Sequence, residues 1–134
     1  MLFNCDFITY KGIVTTVETD KVNVPTSEGR RTILSNHMPI MLPLEMGVIE
    51  TSKDGKLSHF VINSGVLYFR DNQAEIVCNN MLRVEDIDVQ RAENNKQKAI
   101  ESYNKAKDDI TRSREEYKIA LADTLINAYH TYQE

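Results

Sequence analysis

Met46-Gly47-Val48-Ile49-Glu50-Thr51-Ser52-Lys53-Asp54-Gly55-Lys56-Leu57-Ser58-His59-Phe60-Val61-Ile62-Asn63 is the stretch that decides the fold of the N-terminal part of the chain. Residues 46–51 and 57–63 are short runs rich in β-branched and aromatic side chains, and Asp54-Gly55 between them is the dipeptide that tolerates the backbone of a tight hairpin. The same texture extends outward. Upstream, residues 3–9, 13–19, 21–25 and 32–34 read as strands, with Ser27-Glu28-Gly29 breaking the chain after Pro25. Downstream, 66–70 and 75–79 are joined by Asp71-Asn72. Pro39 and Pro43 bracket residues 37–44, an irregular apolar stretch that cannot be a central strand. Many short strands at close spacing indicate an antiparallel sandwich or barrel, and leave no room for the crossover helices of a parallel sheet.

From Ile87 the period changes. No Gly or Pro follows Gly65, and the residues past Ile87 are good helix formers. Ala92, Ala99, Tyr103, Ala106 and Ile110 form a seam at helical spacing. Asp86 is placed to cap this helix, with Asp88 in its first turn. Ser113-Arg114-Glu115-Glu116 fits a capping box for a second helix, whose stripe is Tyr117, Leu121, Leu125, Ala128 and Tyr132. The turn falls around 107–111, with one long helix as the alternative. The reading is therefore α+β: an N-terminal antiparallel β-sandwich over residues 1–84, followed by a C-terminal two-helix antiparallel hairpin over 85–134. The first helix offers mainly alanine to its seam, so its docking is weak. The second has Ile119, Ala122, Ile126 and Tyr129 off its stripe, a surface that asks for a partner. Such a hairpin is a candidate two-state element.

Composition excludes several function classes. The 134 residues carry a net charge of −4, and no basic cluster exceeds Arg30-Arg31, so no nucleic-acid partner is expected. No apolar run approaches the roughly 18–20 residues that span a bilayer, so direct membrane insertion is not expected. Residues 1–6 lack the pattern of a secretion signal, which predicts a mature start here and a cytoplasmic protein. Cys5 and Cys78 are isolated in strand-like runs and read as small core residues. No phosphate-cradling glycine loop, nucleophile elbow or His-Glu-x-x-His helix is present. His37, His59 and His130 are scattered, so no metal site is expected, and Asp108-Asp109 reads as a solvated turn. No catalytic residue is assigned.

Three stretches, in order, resemble the epsilon family of bacterial F-type ATP synthases. Thr26-Ser27-Glu28-Gly29, then Ile33-Leu34 and His37-Met38-Pro39, is similar to the family's S-E-G-x-x-G-I-x-x-H-x-P segment. Ser64-Gly65-Val66-Leu67 is similar to its S-G-G-x-L/V strand, and Ile87-Asp88-Val89-Gln90-Arg91-Ala92 matches its I/L-D-x-x-R-A motif in full. The resemblance implies a non-catalytic central-stalk rotor subunit that couples proton translocation to ATP synthesis or hydrolysis. It would lie at the cytoplasmic face of the bacterial cell membrane, held peripherally by the complex. The alternative is an adaptor subunit of a specialised F-type-like ATPase complex, with ATP sensing and inhibition weak or lost.

The resemblance also implies partners and sites. The sandwich would sit on the gamma subunit and the ring of proton-carrying subunits, with residues 28–37 a loop near that ring and Glu28, Arg30 and His37 at the interface. Here the sequence departs from the family, with Arg30 at a position often acidic and Thr32 at a usual Gly. Ile87, Asp88, Arg91, Ala92 and Lys98 would line a site where many relatives bind ATP without hydrolysing it; no cofactor is required. Relatives that bind ATP well add arginines from the last helix. Residues 119–134 contain no Lys or Arg and carry Asp123 and Glu134, so weak or absent ATP binding is expected of the isolated subunit. In the family the extended hairpin inserts among the catalytic alpha and beta subunits. This chain would have to do so through Leu121, Leu125, Ile126 and Tyr129, or through Arg112, Arg114 and Lys118, and inhibition is expected to be modest.

Overall fold

A computed structural model describes residues 1–132, so Glu134 lies outside the described residues. The chain divides into two compact units, the first Met1–Arg83 and the second beginning at Val84.

The first unit is a sandwich of two five-stranded sheets. Its strands are β1 (Phe3–Thr9), β2 (Gly12–Thr19), β3 (Lys21–Thr26), β4 (Gly29–Leu34), β5 (Ile40–Leu44), β6 (Gly47–Lys53), β7 (Lys56–Ile62), β8 (Gly65–Arg70), β9 (Gln73–Cys78) and β10 (Met81–Arg83). One sheet has the order β2-β1-β9-β8-β5 and the other β10-β7-β6-β3-β4. The quoted hairpin is β6–β7, paired from Gly47↔Ile62 to Lys53↔Lys56. Its turn holds Asp54 at φ 53° and Gly55 at φ 79°, and Asp71 and Asn72 repeat the positive-φ geometry at φ 51° and 55° between β8 and β9. Gly65 opens β8 against β9 so closely that a Cβ there would run into the Val77 carbonyl oxygen.

Inward side chains of both sheets meet between them. Phe7 lies 4.6 Å from Phe60 by ring centroid, and Phe3 meets Phe69 edge-on at 5.3 Å. Val22, Ile33, Ile49, Leu67 and Ile76 are wholly buried around them. Cys5 and Cys78 are both buried in this core. Burial, with a smaller push from Asp6, raises the Cys5 thiol to about 12. Thr19, wholly buried, accepts from the Ser52 N–H at 2.9 Å through its hydroxyl.

Two expectations are modified in this unit. β1 and β9 pair in parallel, from Asn4↔Gln73 to Ile8↔Val77. No crossover helix is needed, because the chain between them passes back and forth between the two sheets. The stretch bracketed by Pro39 and Pro43 is no central strand, as expected, but it is not irregular: Ile40–Leu44 forms β5 at the edge of its sheet, where the missing N–H of Pro43 is tolerated. The three-residue β10 was also not visible in the sequence pattern.

The second unit opens with a 3-10 turn over Val84–Asp86 and continues as α1 (Val89–Lys105) and α2 (Asp109–Tyr132). Residues 106–108 break the helix, so the single long helix is ruled out. α2 doubles back along α1, and Lys96 of α1 meets Asp123 of α2 at 2.7 Å. Both expected caps are corrected. Asp86 ends the 3-10 turn, and Asp88 is the N-cap of α1, its carboxylate accepting from the Arg91 N–H at 3.1 Å. Ser113 lies inside α2. Asp108 precedes that helix, and hydrogen bonds from the Thr111 side chain and backbone hold its carboxyl below the usual range. The seams match expectation in part. Ala92 and Ala99 of α1 and Ala128 of α2 are buried as expected, but so are Ala122 and Glu115 off the expected stripe, whereas Ile110, Tyr117 and Tyr132 are exposed.

Candidate functional site

The first surface follows from strand register. On the outward face of the first sheet, cross-strand partners run Pro43↔Val66, Val66↔Val77, Val77↔Ile8 and Ile8↔Ile13. An apolar residue thus stands on every strand of the sheet in one row. Beside it runs the pair Met41↔Tyr68. Ile8 and Val66 are half-buried, but Ile13 is 62% exposed, Met41 60% and Val77 42%. Scattered exposed apolar residues are ordinary on a protein surface; a continuous row across five strands is not. Period-2 alternation should have placed polar residues there, so the row is what marks this face for contact.

The second surface is 28–37, expected to be one loop. The structure corrects this. Gly29–Leu34 is the edge strand β4, so Glu28 and Arg30 stand at one end and His37 at the other. Six strand residues at about 3.3 Å each separate the ends by roughly 20 Å. Glu28 sits in the β3–β4 turn, its N–H donating to Thr26 Oγ1 at 3.2 Å. Arg30 is folded against β3, with Nε donating to Asn23 Oδ1 at 2.6 Å. His37 places Nδ1 2.7 Å from the Met38 carbonyl oxygen and its ring edge-on to Phe69 at 6.1 Å. The turn that carries it is pinned from the β8–β9 turn: Asn72 Oδ1 accepts from the Asn36 N–H at 2.7 Å and from Ser35 Oγ at 3.3 Å. Asn36 itself is left-handed, at φ 65°. Asn72 read in sequence only as a turn residue; its clamp is a long-range contact with no local signal.

The third surface is a groove of about 370 Å³ between α1 and α2. Its apolar walls are Ala92, Ala99, Leu121, Ala122 and Leu125, and its polar groups are Asn95, Lys98, Ser102, Glu115 and Lys118. Of the residues expected at a nucleotide site, it gathers Ala92 and Lys98. Ile87 is buried ahead of α1, Asp88 is engaged as the cap and Arg91 is exposed; none of these three lines the groove. Asp88 meets Arg91 through the Arg91 backbone N–H and not through its guanidinium. Leu121 and Leu125, expected to meet a partner, face the groove inside the hairpin. Ile126 and Tyr129 are half-buried, with Tyr129 edge-on to His130 at 5.4 Å. Glu115 and Lys118, joined at 3.3 Å, are groove residues that sequence spacing did not bring forward. Among the described residues no cluster of metal-ligating side chains occurs, and no helix is long and apolar enough to cross a membrane.

Comparison with known proteins bears on the whole chain. Residues 2–84 match the family described as ATP synthase, Delta/Epsilon chain, beta-sandwich domain. The ATP synthase epsilon chain of Lactobacillus delbrueckii subsp. bulgaricus is 32% identical over 136 aligned residues, covering 98% of this chain and 92% of the relative. That of Lactobacillus helveticus is 28% identical, covering 97% and 94%. Among solved structures, a chain of the Euglena gracilis mitochondrial ATP synthase superposes with a TM-score of 0.82 at 19% identity, covering 96% of this chain and 82% of that one. A chain from the central stalk and c-ring of the Tetrahymena thermophila enzyme gives 0.66 at 13%, covering 95% and 96%. These two show the fold. The family match over the sandwich and the near-full-length relatives show more: the chain belongs to the ATP synthase delta/epsilon family, as one of its epsilon chains.

Proposed function

We propose that this epsilon subunit works mainly through its β unit, which docks on the central stalk, and that its helical unit is a weak regulator. The subunit carries no catalytic step. It couples by being held, and the observation that carries the reading is the apolar row Pro43, Val66, Val77, Ile8 and Ile13. Covering such a row removes apolar area from water, which supplies the driving force for a stable contact. The gamma subunit is the partner that this face would meet, and the two ends of β4, with Glu28 and Arg30 at one and His37 at the other, would approach the ring of proton-carrying subunits. The complex would be attached to the cytoplasmic face of the bacterial membrane.

Nucleotide binding is proposed to be weak. The groove offers two lysines and no arginine, and Leu121 and Leu125 stand where a phosphate would need donors. Inhibition by insertion among the alpha and beta subunits is proposed to be modest for the same reason.

Val77→Lys tests the docking face. It places a charge in the middle of the row without touching the core, so the variant folds with an unchanged circular dichroism spectrum and fails to co-purify with the hexameric ATPase. A folded variant that co-purifies as well as the wild type contradicts the reading. Low-micromolar ATP binding by the wild-type subunit in calorimetry contradicts its nucleotide part.

A further inference from the structure

The seam between α1 and α2 is built of the smallest apolar side chain, with Ala92, Ala99, Ala122 and Ala128 all buried. Glu115 breaks that pattern. It is 7% exposed, lines the groove and lies 3.3 Å from Lys118 Nζ. Packing at a small-residue seam calls for another alanine, and taking a carboxylate out of water carries a desolvation cost. Its neighbour Glu116 is exposed and bears the same charge without that cost.

We propose that Glu115 is an internal counter-ion that closes the interhelical groove to phosphate-bearing ligands. This rests on the reading above that the hairpin holds nucleotide poorly, and it names a residue responsible. Lys98 lines the same groove and, among the described residues, enters no ion pair. Without Glu115, the groove would present two lysine ammonium groups between apolar walls, which is a receptor for an anion. With it, Lys118 already has its carboxylate. An entering phosphate then meets a like charge in a partly dry site, where repulsion is several times stronger than in bulk water. The hairpin therefore carries its own anion at Lys118.

Calorimetry on the full chain tests this with inorganic tripolyphosphate and with ATP, against Glu115→Gln, Glu115→Ser and the control Glu116→Gln. Both Glu115 variants are expected to bind tripolyphosphate at least about tenfold more tightly than the wild type. The control should match the wild type, and adding Lys98→Met to Glu115→Gln should return the affinity to the wild-type level. The proposal is overturned if neither Glu115 variant gains affinity or if Glu116→Gln gains as much. It is also overturned if the gain survives Lys98→Met, which puts the anion elsewhere. Loss of helical circular dichroism in both Glu115 variants would overturn it too, by making Glu115 a structural residue. Tight ATP binding by the wild type contradicts the earlier reading instead, and is told apart because it needs no substitution.

Discussion

The two units of this chain are held by different means. In the β unit, large side chains that are distant in sequence meet in a dry core: Phe7 of β1 on Phe60 of β7, and Phe3 on Phe69 of β8. In the helical unit, two consecutive helices meet through alanine, one buried carboxylate and a half-exposed ion pair between Lys96 and Asp123. Exposed ion pairs contribute little, typically under about 1 kcal/mol. The β unit is thus packed around large rings, which suits the docked body proposed for it. The helical unit is packed with the side chains that have least to lose on opening, which suits the regulatory role proposed for it.

The contrast is sharpest under truncation. Phe60→Ala removes a wholly buried ring and is expected to cost about 3–5 kcal/mol. That cost shows as a lowered midpoint for the β unit in urea. Leu125→Ala removes a half-buried side chain from the groove wall, and should cost no more than about half as much. Equal costs would break the comparison. Asp88→Ala probes the helical unit at its cap, where the carboxylate satisfies the Arg91 N–H. A loss of about 1 kcal/mol is expected, read as faster amide exchange along α1 with the β unit unchanged.

Acid gives the smallest effect. Asp108 has its carboxyl lowered by the Thr111 hydrogen bonds, so its contribution is present above the ordinary value of 3.8 and lost as pH falls through the lower folded value. The first turn of α2 should fray only in that acid window, and Asp108→Asn should remove the pH dependence of the fraying. Fraying that begins well above the ordinary value would point to a different group.

How far the sequence could be read follows the same division. Eight strands and their turns were legible because Asp54-Gly55 and Asp71-Asn72 are local signals with one geometric meaning. β5 was obscured by Pro43, and β10 by having only three residues. The parallel pairing of β1 with β9 depends on strands almost seventy positions apart. In the helical unit the phase of α2 was misread because it carries apolar residues on all sides, so only its neighbour decides which face is buried. Ala128 of the expected stripe is buried, but Ala122 is buried where Tyr117 and Tyr132 are not, because small side chains let the helices approach. Glu115 fell between Ser113 and Glu116 of the expected capping box, and only the fold shows it lining a groove with Lys98 and Lys118. The family motif Ile87–Ala92 was legible as letters, yet the fold commits Asp88 to the helix cap and leaves Arg91 exposed. The row on the first sheet was invisible for a related reason. Pro43, Val66, Val77, Ile8 and Ile13 become neighbours only once the register is fixed.

The central claim is that the β unit docks and couples while the helical unit adds little. The most direct measurement is the ATPase rate and proton pumping of the assembled complex built with a chain ending at Arg83. The account predicts that this complex assembles, stays coupled and hydrolyses ATP at close to the intact rate. A many-fold rise in ATPase activity, or failure of the truncated chain to assemble, would contradict it.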